Sequence, residues 1–170
     1  MKKYLILFLA LLLVSTFSMG ILAAQLPDTG RTVEDYTTIL KDFTNADKVG
    51  DLIRPANNEE TYPFVPLYKD NELIGYGTWA SMKVYSHVHD IAVVVSSDAE
   101  IKKIKYIDVS EEHHPELAKQ EYLKRFYGMK VNRNFDSDVD TISGSTISTN
   151  QLFGELKTIL VIFNNFVEIK

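Results

Sequence analysis

Between residues 64 and 109 apolar side chains recur at about every second position, the period of a strand with one buried face. The stretch FVPLYKDNELIGYGTW (64–79) reads as a β-hairpin that turns at Lys69-Asp70-Asn71. Gly75 and Gly77 interrupt its second strand, which predicts a bulge or the close approach of another backbone or a ligand. The next stretch, KVYSHVHDIAVVVSSDAEIKKIKYIDVS (83–110), gives two more strands around Ser96-Ser97-Asp98. Ile101, Ile104, Tyr106, Ile107 and Val109 carry the apolar side of the last one, with a register break expected near Lys102-Lys103.

On either side of these strands the period changes to that of a helix. Residues 32–43 place Val33, Tyr36, Ile39, Leu40 and Phe43 on one face, with Thr32 as the cap and Glu34 and Asp35 in the first turn. A second helix is expected to begin near Pro115, to bury Leu117, Leu123, Phe126 and Tyr127, and to end at Gly128. A third is expected over 149–169, burying Leu152, Leu156, Ile159, Leu160, Phe163 and Val167. The predicted class is therefore α+β: an antiparallel sheet of about four or more strands packed with helices, preceded by an N-terminal apolar helix. The expected division is a membrane anchor or signal peptide over 1–24, a linker with a short helix over 25–62, and one domain over 63–170.

The N-terminus bears on localisation. Lys2 and Lys3 precede an uncharged apolar run, residues 4–24, which at about 1.5 Å per residue is long enough to cross a hydrocarbon core of about 30 Å. It also fits a secretory signal cleaved near Ala23 or Ala24. In both readings the lysines stay inside and the domain is exported, either anchored to the cell membrane or secreted. The sequence LPDTG (26–30) looks like a cell-wall sorting signal, but the apolar segment precedes it instead of following it, so a Pro/Gly turn is the reading adopted.

Composition removes several classes of function. A net charge of -5 argues against nucleic acid as a partner. With no cysteine there are no disulfides, thiolate metal sites, thiol nucleophiles, cysteine-attached haem or lipid-modified cysteine.

The stretch VDTISGSTISTNQL (139–152) concentrates an acid, a glycine and hydroxyl side chains just ahead of the last helical pattern. Ser148 and Gln151 have capping-box spacing. Unpaired amides at a helix start, a glycine that lets the backbone come close, and the hydroxyls of Ser143, Ser145 and Thr146 suit a phosphate. A plain helix cap in a Ser/Thr loop uses the same residues, and physics alone leaves both open. The order Asp140-Thr141-Ile142-Ser143-Gly144-Ser145-Thr146 resembles the flavinylation motif of the FMN-binding domain family. That family includes exported domains of the Rnf electron-transport complex and of the sodium-pumping NADH:quinone reductase. Asp140, Ser143, Gly144 and Thr146 match, Ile147-Ser148-Thr149 resembles the continuation, and Ser145 stands where alanine is usual.

The resemblance covers roughly residues 64–166, including the NELIGYGTW strand and a loosely matching segment at Glu111-Glu112-His113-His114-Pro115. It implies FMN joined to Thr146 through a phosphoester, made by a flavin transferase from FAD with a divalent metal. Asp140, Ser143, Gly144, Ser145 and Thr149 would complete the cofactor site; separately from the motif, His113 and His114 are candidates to approach the isoalloxazine and tune it. The function implied is an exported, membrane-associated electron carrier that relays electrons between membrane or extracellular redox proteins, one component of a redox system more than a standalone enzyme.

Other constellations carry less. His87 and His89 share a strand face and could join His113 or His114 around a transition metal; they could instead be polar residues on a solvated face, or one could pack near a flavin. No serine lies in a Gly-x-Ser-x-Gly turn, which argues against a hydrolytic triad. Trp79, Tyr76 and Tyr85 are read as core side chains in preference to a flavin stack. The alternative function is an exported binding or accessory module of the same fold without flavin, with a metal-binding version through the histidines.

Overall fold

The computed structural model describes residues 29–55, 62–84, 87–108, 115–132 and 146–168. Helix α1 (Val33–Thr44) starts at the expected cap: Thr32 accepts from the Asp35 amide, and the Asp35 carboxylate accepts from the Thr32 amide. Hydrogen bonds from Thr32, the one from its amide first, lower the Asp35 pKa. The helix ends where Asn45 takes a left-handed conformation, φ 54°.

Among the described residues five strands follow: β1 (Lys48–Val49), β2 (Val65–Lys69), β3 (Glu72–Val84), β4 (His87–Val95) and β5 (Ile101–Tyr106). They form one antiparallel sheet in the order β1-β2-β3-β4-β5. The β2–β3 turn is the expected one, with Asp70 and Asn71 both at positive φ, the twist that suits a two-residue hairpin. Strand β3 runs on to Val84, beyond the Trp79 limit expected for the hairpin. Two register irregularities occur. Ile74 is the extra residue between Leu73, paired with Tyr68, and Gly75, paired with Leu67. Lys102 is the extra residue between Ile101, paired with Val95, and Lys103, paired with Val94, at the expected break.

Both glycines of β3 are there because something comes close. A Cβ on Gly77 would lie 2.7 Å from Cδ1 of Leu40 in α1. Gly75 has φ +150°, and its Cβ would lie 2.9 Å from the Val95 carbonyl oxygen.

Alternation along the strands divides the core in two. On one face Val65, Leu67, Trp79, Ala92 and Val94 meet Tyr36 and Leu40 of α1. The Tyr36 and Trp79 rings are nearly parallel, 4.9 Å apart, so the tryptophan is a core side chain as expected. On the other face Ala80, Met82, Ile91, Val93 and Ile104 meet helix α3 (Thr146–Glu168). Leu152, Leu156, Ile159, Leu160 and Phe163 of α3 are fully buried, each contributing about 1.5–3 kcal/mol through removal from water. Tyr76 and Phe64 both pack against Phe163, and Tyr85 lies outside the described residues.

Two helical expectations are corrected. The segment after Pro115 is not one helix but three single turns: a 3-10 turn (Pro115–Ala118), helix α2 (Gln120–Leu123) and a second 3-10 turn (Lys124–Phe126). Lys119, with ψ 134°, breaks the helical path. The physical reason lies beside it. The outer edge of β5 needs partners, and this segment supplies them: Gln120 Nε2 donates to the Ile104 carbonyl, and Gly128 and Met129 exchange backbone hydrogen bonds with Ile101. The last helix begins at Thr146, three residues before the expected start, so Ser148 and Gln151 lie inside it and do not form its cap.

Among the described residues no helix is long and apolar enough to cross a membrane, and the apolar run 4–24 lies outside them.

Candidate functional site

Thr146 is the first residue of α3 and is exposed. The first amides of a helix have no intrahelical acceptor and carry partial positive charge, so the Thr146 hydroxyl stands where an anionic group is favoured. Ile147 beside it is also open to solvent, at 49% exposure. Ser148 and Thr149 then turn inward and are buried.

Thr149 ties this first turn to the rest of the fold. Its hydroxyl lies 3.2 Å from the Tyr122 hydroxyl in α2, in a buried contact. Tyr122 in turn packs edge-on against Phe126, and Phe126 edge-on against Phe153 of α3. The Arg125 guanidinium lies over the Tyr122 ring at 5.5 Å. Tyr106, at the end of β5, has its pKa raised by burial and by the neighbouring Tyr122. His89 of β4 meets Tyr106 edge-on with ring centroids 6.2 Å apart. A line of polar aromatic groups, His89, Tyr106 and Tyr122, thus runs from the sheet to the base of the first turn of α3.

The side chains expected at the cofactor site separate into three groups. Thr146 is at a helix start and accessible. Thr149 is buried and spends its hydroxyl on Tyr122. Asp140, Ser143, Gly144, Ser145, His113 and His114 lie outside the described residues. His89 is not on a solvated strand face; it is 4% exposed and points to the α3 side of the sheet. Among the described residues no three His, Cys, Asp or Glu side chains are grouped to hold a metal ion.

A second polar cluster lies on the opposite face of the sheet, one residue along β4. Asp90 is completely buried. Its carboxylate accepts from Arg31 Nη1 at 2.7 Å, from the Tyr36 hydroxyl at 2.9 Å and from the Ser81 hydroxyl on β3. Arg31 also pairs with Asp108, just past β5, and Thr29 is hydrogen-bonded to the Tyr36 hydroxyl at 3.0 Å. Burial pushes the Tyr36 hydroxyl up to about 12, and its hydrogen bond to Asp90 acts in the same direction. Reading the sequence for chemistry missed this cluster. Its signal was the position of Asp90 in the alternation: it falls on the same side as Ala92 and Val94, and an acid on an apolar face needs a cation or donors.

A family model of the FMN-binding domain matches residues 85–160, from the start of β4 through two thirds of α3. No curated protein matches the chain.

Proposed function

We propose, from the match of residues 85–160 to the FMN-binding domain model, that the chain carries FMN covalently, through a phosphoester to Thr146, as an exported electron-transfer protein. The observation that carries this reading is the exposure of Thr146 at the first turn of a 23-residue helix. An anionic group at that position would be favoured by the unpaired amides and partial positive charge of the helix start. Bound FMN supplies one- or two-electron chemistry.

The chain's own residues have narrower tasks. Thr146 presents the hydroxyl that a flavin transferase would join to the flavin phosphate of FAD, with a divalent metal, as the pyrophosphate bond of FAD breaks, AMP leaves and the hydroxyl gives up its proton. Asp140 is the residue proposed to orient or assist that hydroxyl, and Ser143, Gly144 and Ser145 are the motif residues proposed to complete the cofactor site. The buried contact between Thr149 and Tyr122 holds the first turn of α3 in place. Tyr106, whose pKa is raised by burial and by Tyr122, adjoins the tyrosine that holds Thr149. Residues 4–24 are the proposed membrane anchor, and the partners are membrane or extracellular redox proteins.

The test is direct. Protein co-expressed with a flavin transferase is expected to give a fluorescent band after denaturing electrophoresis and an intact mass increased by one FMN. Thr146→Ala is expected to lose both. A wild-type chain with no adduct would leave only the flavin-free module; an adduct that survives in Thr146→Ala would move the attachment elsewhere.

A further inference from the structure

The buried cluster around Asp90 fixes where the chain leaves the domain toward its N-terminus, and that place can be compared with the position of Thr146. Arg31 is the last residue before the α1 cap, and its guanidinium bridges Asp90 of β4 and Asp108 beyond β5. Asp90 is inaccessible to water and also holds Tyr36 and Ser81, so α1, β3, β4 and the incoming chain meet at one point. A buried carboxylate that loses its cation is left uncompensated, so this contact resists being pulled open.

Strand register sets the level of that point along the sheet. Asp90 pairs with Ser81 on one side and receives the Ile107 amide on the other. The next residue, Ile91, pairs with Tyr106. Tyr106 and His89 are the sheet residues that lead to Tyr122, Thr149 and the first turn of α3. The exit of the chain and the start of α3 therefore lie at the same end of the sheet, on opposite faces. The β4–β5 turn containing Ser97 lies at the other end, about 23 Å away at about 3.3 Å per residue along β4.

Residues 25–30 separate the apolar run from Arg31, and six residues span at most about 20 Å when fully extended. A domain of this size has a radius of gyration of about 14 Å, hence a diameter well above that reach. We infer that the domain is held with the Thr146 end of its sheet facing the lipid bilayer, so that its cofactor serves a membrane-embedded or membrane-bound redox partner and not a carrier in free solution. This orientation rests on the proposed anchoring by residues 4–24.

The absence of cysteine makes the test clean, because a single introduced cysteine is the only labelling site. The full chain would be reconstituted into phosphatidylcholine/phosphatidylglycerol vesicles with a donor dye on Ile147→Cys or on Ser97→Cys. Energy transfer to an acceptor on the lipid headgroups would be measured, each sample normalised to vesicles without acceptor. Both positions are exposed and lie at opposite ends of the sheet. Transfer is expected to be several-fold higher from position 147. Equal transfer, or more from position 97, overturns the orientation. Adding Arg31→Gln is expected to reduce the difference between the two labels; an unchanged difference would show that the clamp does not set the orientation. Failure of the chain to float with vesicles would overturn the anchored orientation while leaving covalent flavin untouched, since the fluorescent band at Thr146 is read without membranes.

Discussion

Single residues here act through what surrounds them. Asp90 and Arg31 show this most sharply, because one is wholly buried while the other keeps 24% of its side chain in solvent. Removing the arginine alone leaves a carboxylate in the core with only two hydroxyl donors, whereas removing both charges leaves neutral groups that can still share hydrogen bonds. Arg31→Gln is therefore expected to destabilise the fold. Adding Asp90→Asn should recover part of the loss, with a coupling of about 1–3 kcal/mol in urea unfolding. A double variant less stable than Arg31→Gln alone would show that the buried charge is not the cost. Thr146 is the opposite case, a residue whose motif is legible in the sequence and which the fold leaves exposed. Thr149, three positions on, belongs to the same motif, yet faces inward and is engaged by Tyr122. The two differ by which side of the first turn they occupy, and that depends on where α3 starts.

At the scale of elements, the strands were the most legible part, and the glycines within them explain why. Gly75 and Gly77 promised close approach, and the structure gives each a different neighbour. Alanine at 77 meets the tip of the Leu40 side chain, which can rotate at some loss of packing; alanine at 75 meets a backbone carbonyl and must also adopt φ +150°. Gly77→Ala is expected to cost about 1–3 kcal/mol by overpacking, and Gly75→Ala more than Gly77→Ala, as measured by chemical denaturation. The reverse order would mean that the helix, not the strand ladder, sets the tolerance of β3. Where helix reading failed, the cause was tertiary. Leu117, Leu123 and Phe126 are buried as periodicity required, but the unpaired edge of β5 draws the backbone between them out of helical geometry. The early start of α3 similarly follows from how its first turn docks, with Ser148 and Thr149 buried against the domain and Ser148 not free to cap.

For the molecule as a whole, two cores on either side of one sheet make stability depend on groups kept neutral inside. Burial lifts the Tyr36 hydroxyl from 10 to about 12 and raises Tyr106 and Tyr127 as well. The folded chain holds these protons to higher pH than the unfolded chain does. Their contribution is intact below about pH 10 and is lost as pH rises toward the folded values. Thermal melting is expected to fall over that alkaline range, and less steeply in Tyr36→Phe; identical slopes would exclude Tyr36 as a source. The amino-acid sequence alone determined the class of fold, the β2–β3 and β4–β5 hairpins through their turns, and the helix cap at Thr32. Each of these is written in local spacing, where alternation, turn chemistry and capping act over a few residues. Only the tertiary structure decided that α1 closes the second face of the sheet, that Asp90 gathers Arg31, Tyr36 and Ser81, and that the chain's exit and Thr146 share one end. Those contacts join residues up to 77 positions apart, such as Arg31 and Asp108, and no short-range pattern encodes a pairing across that distance.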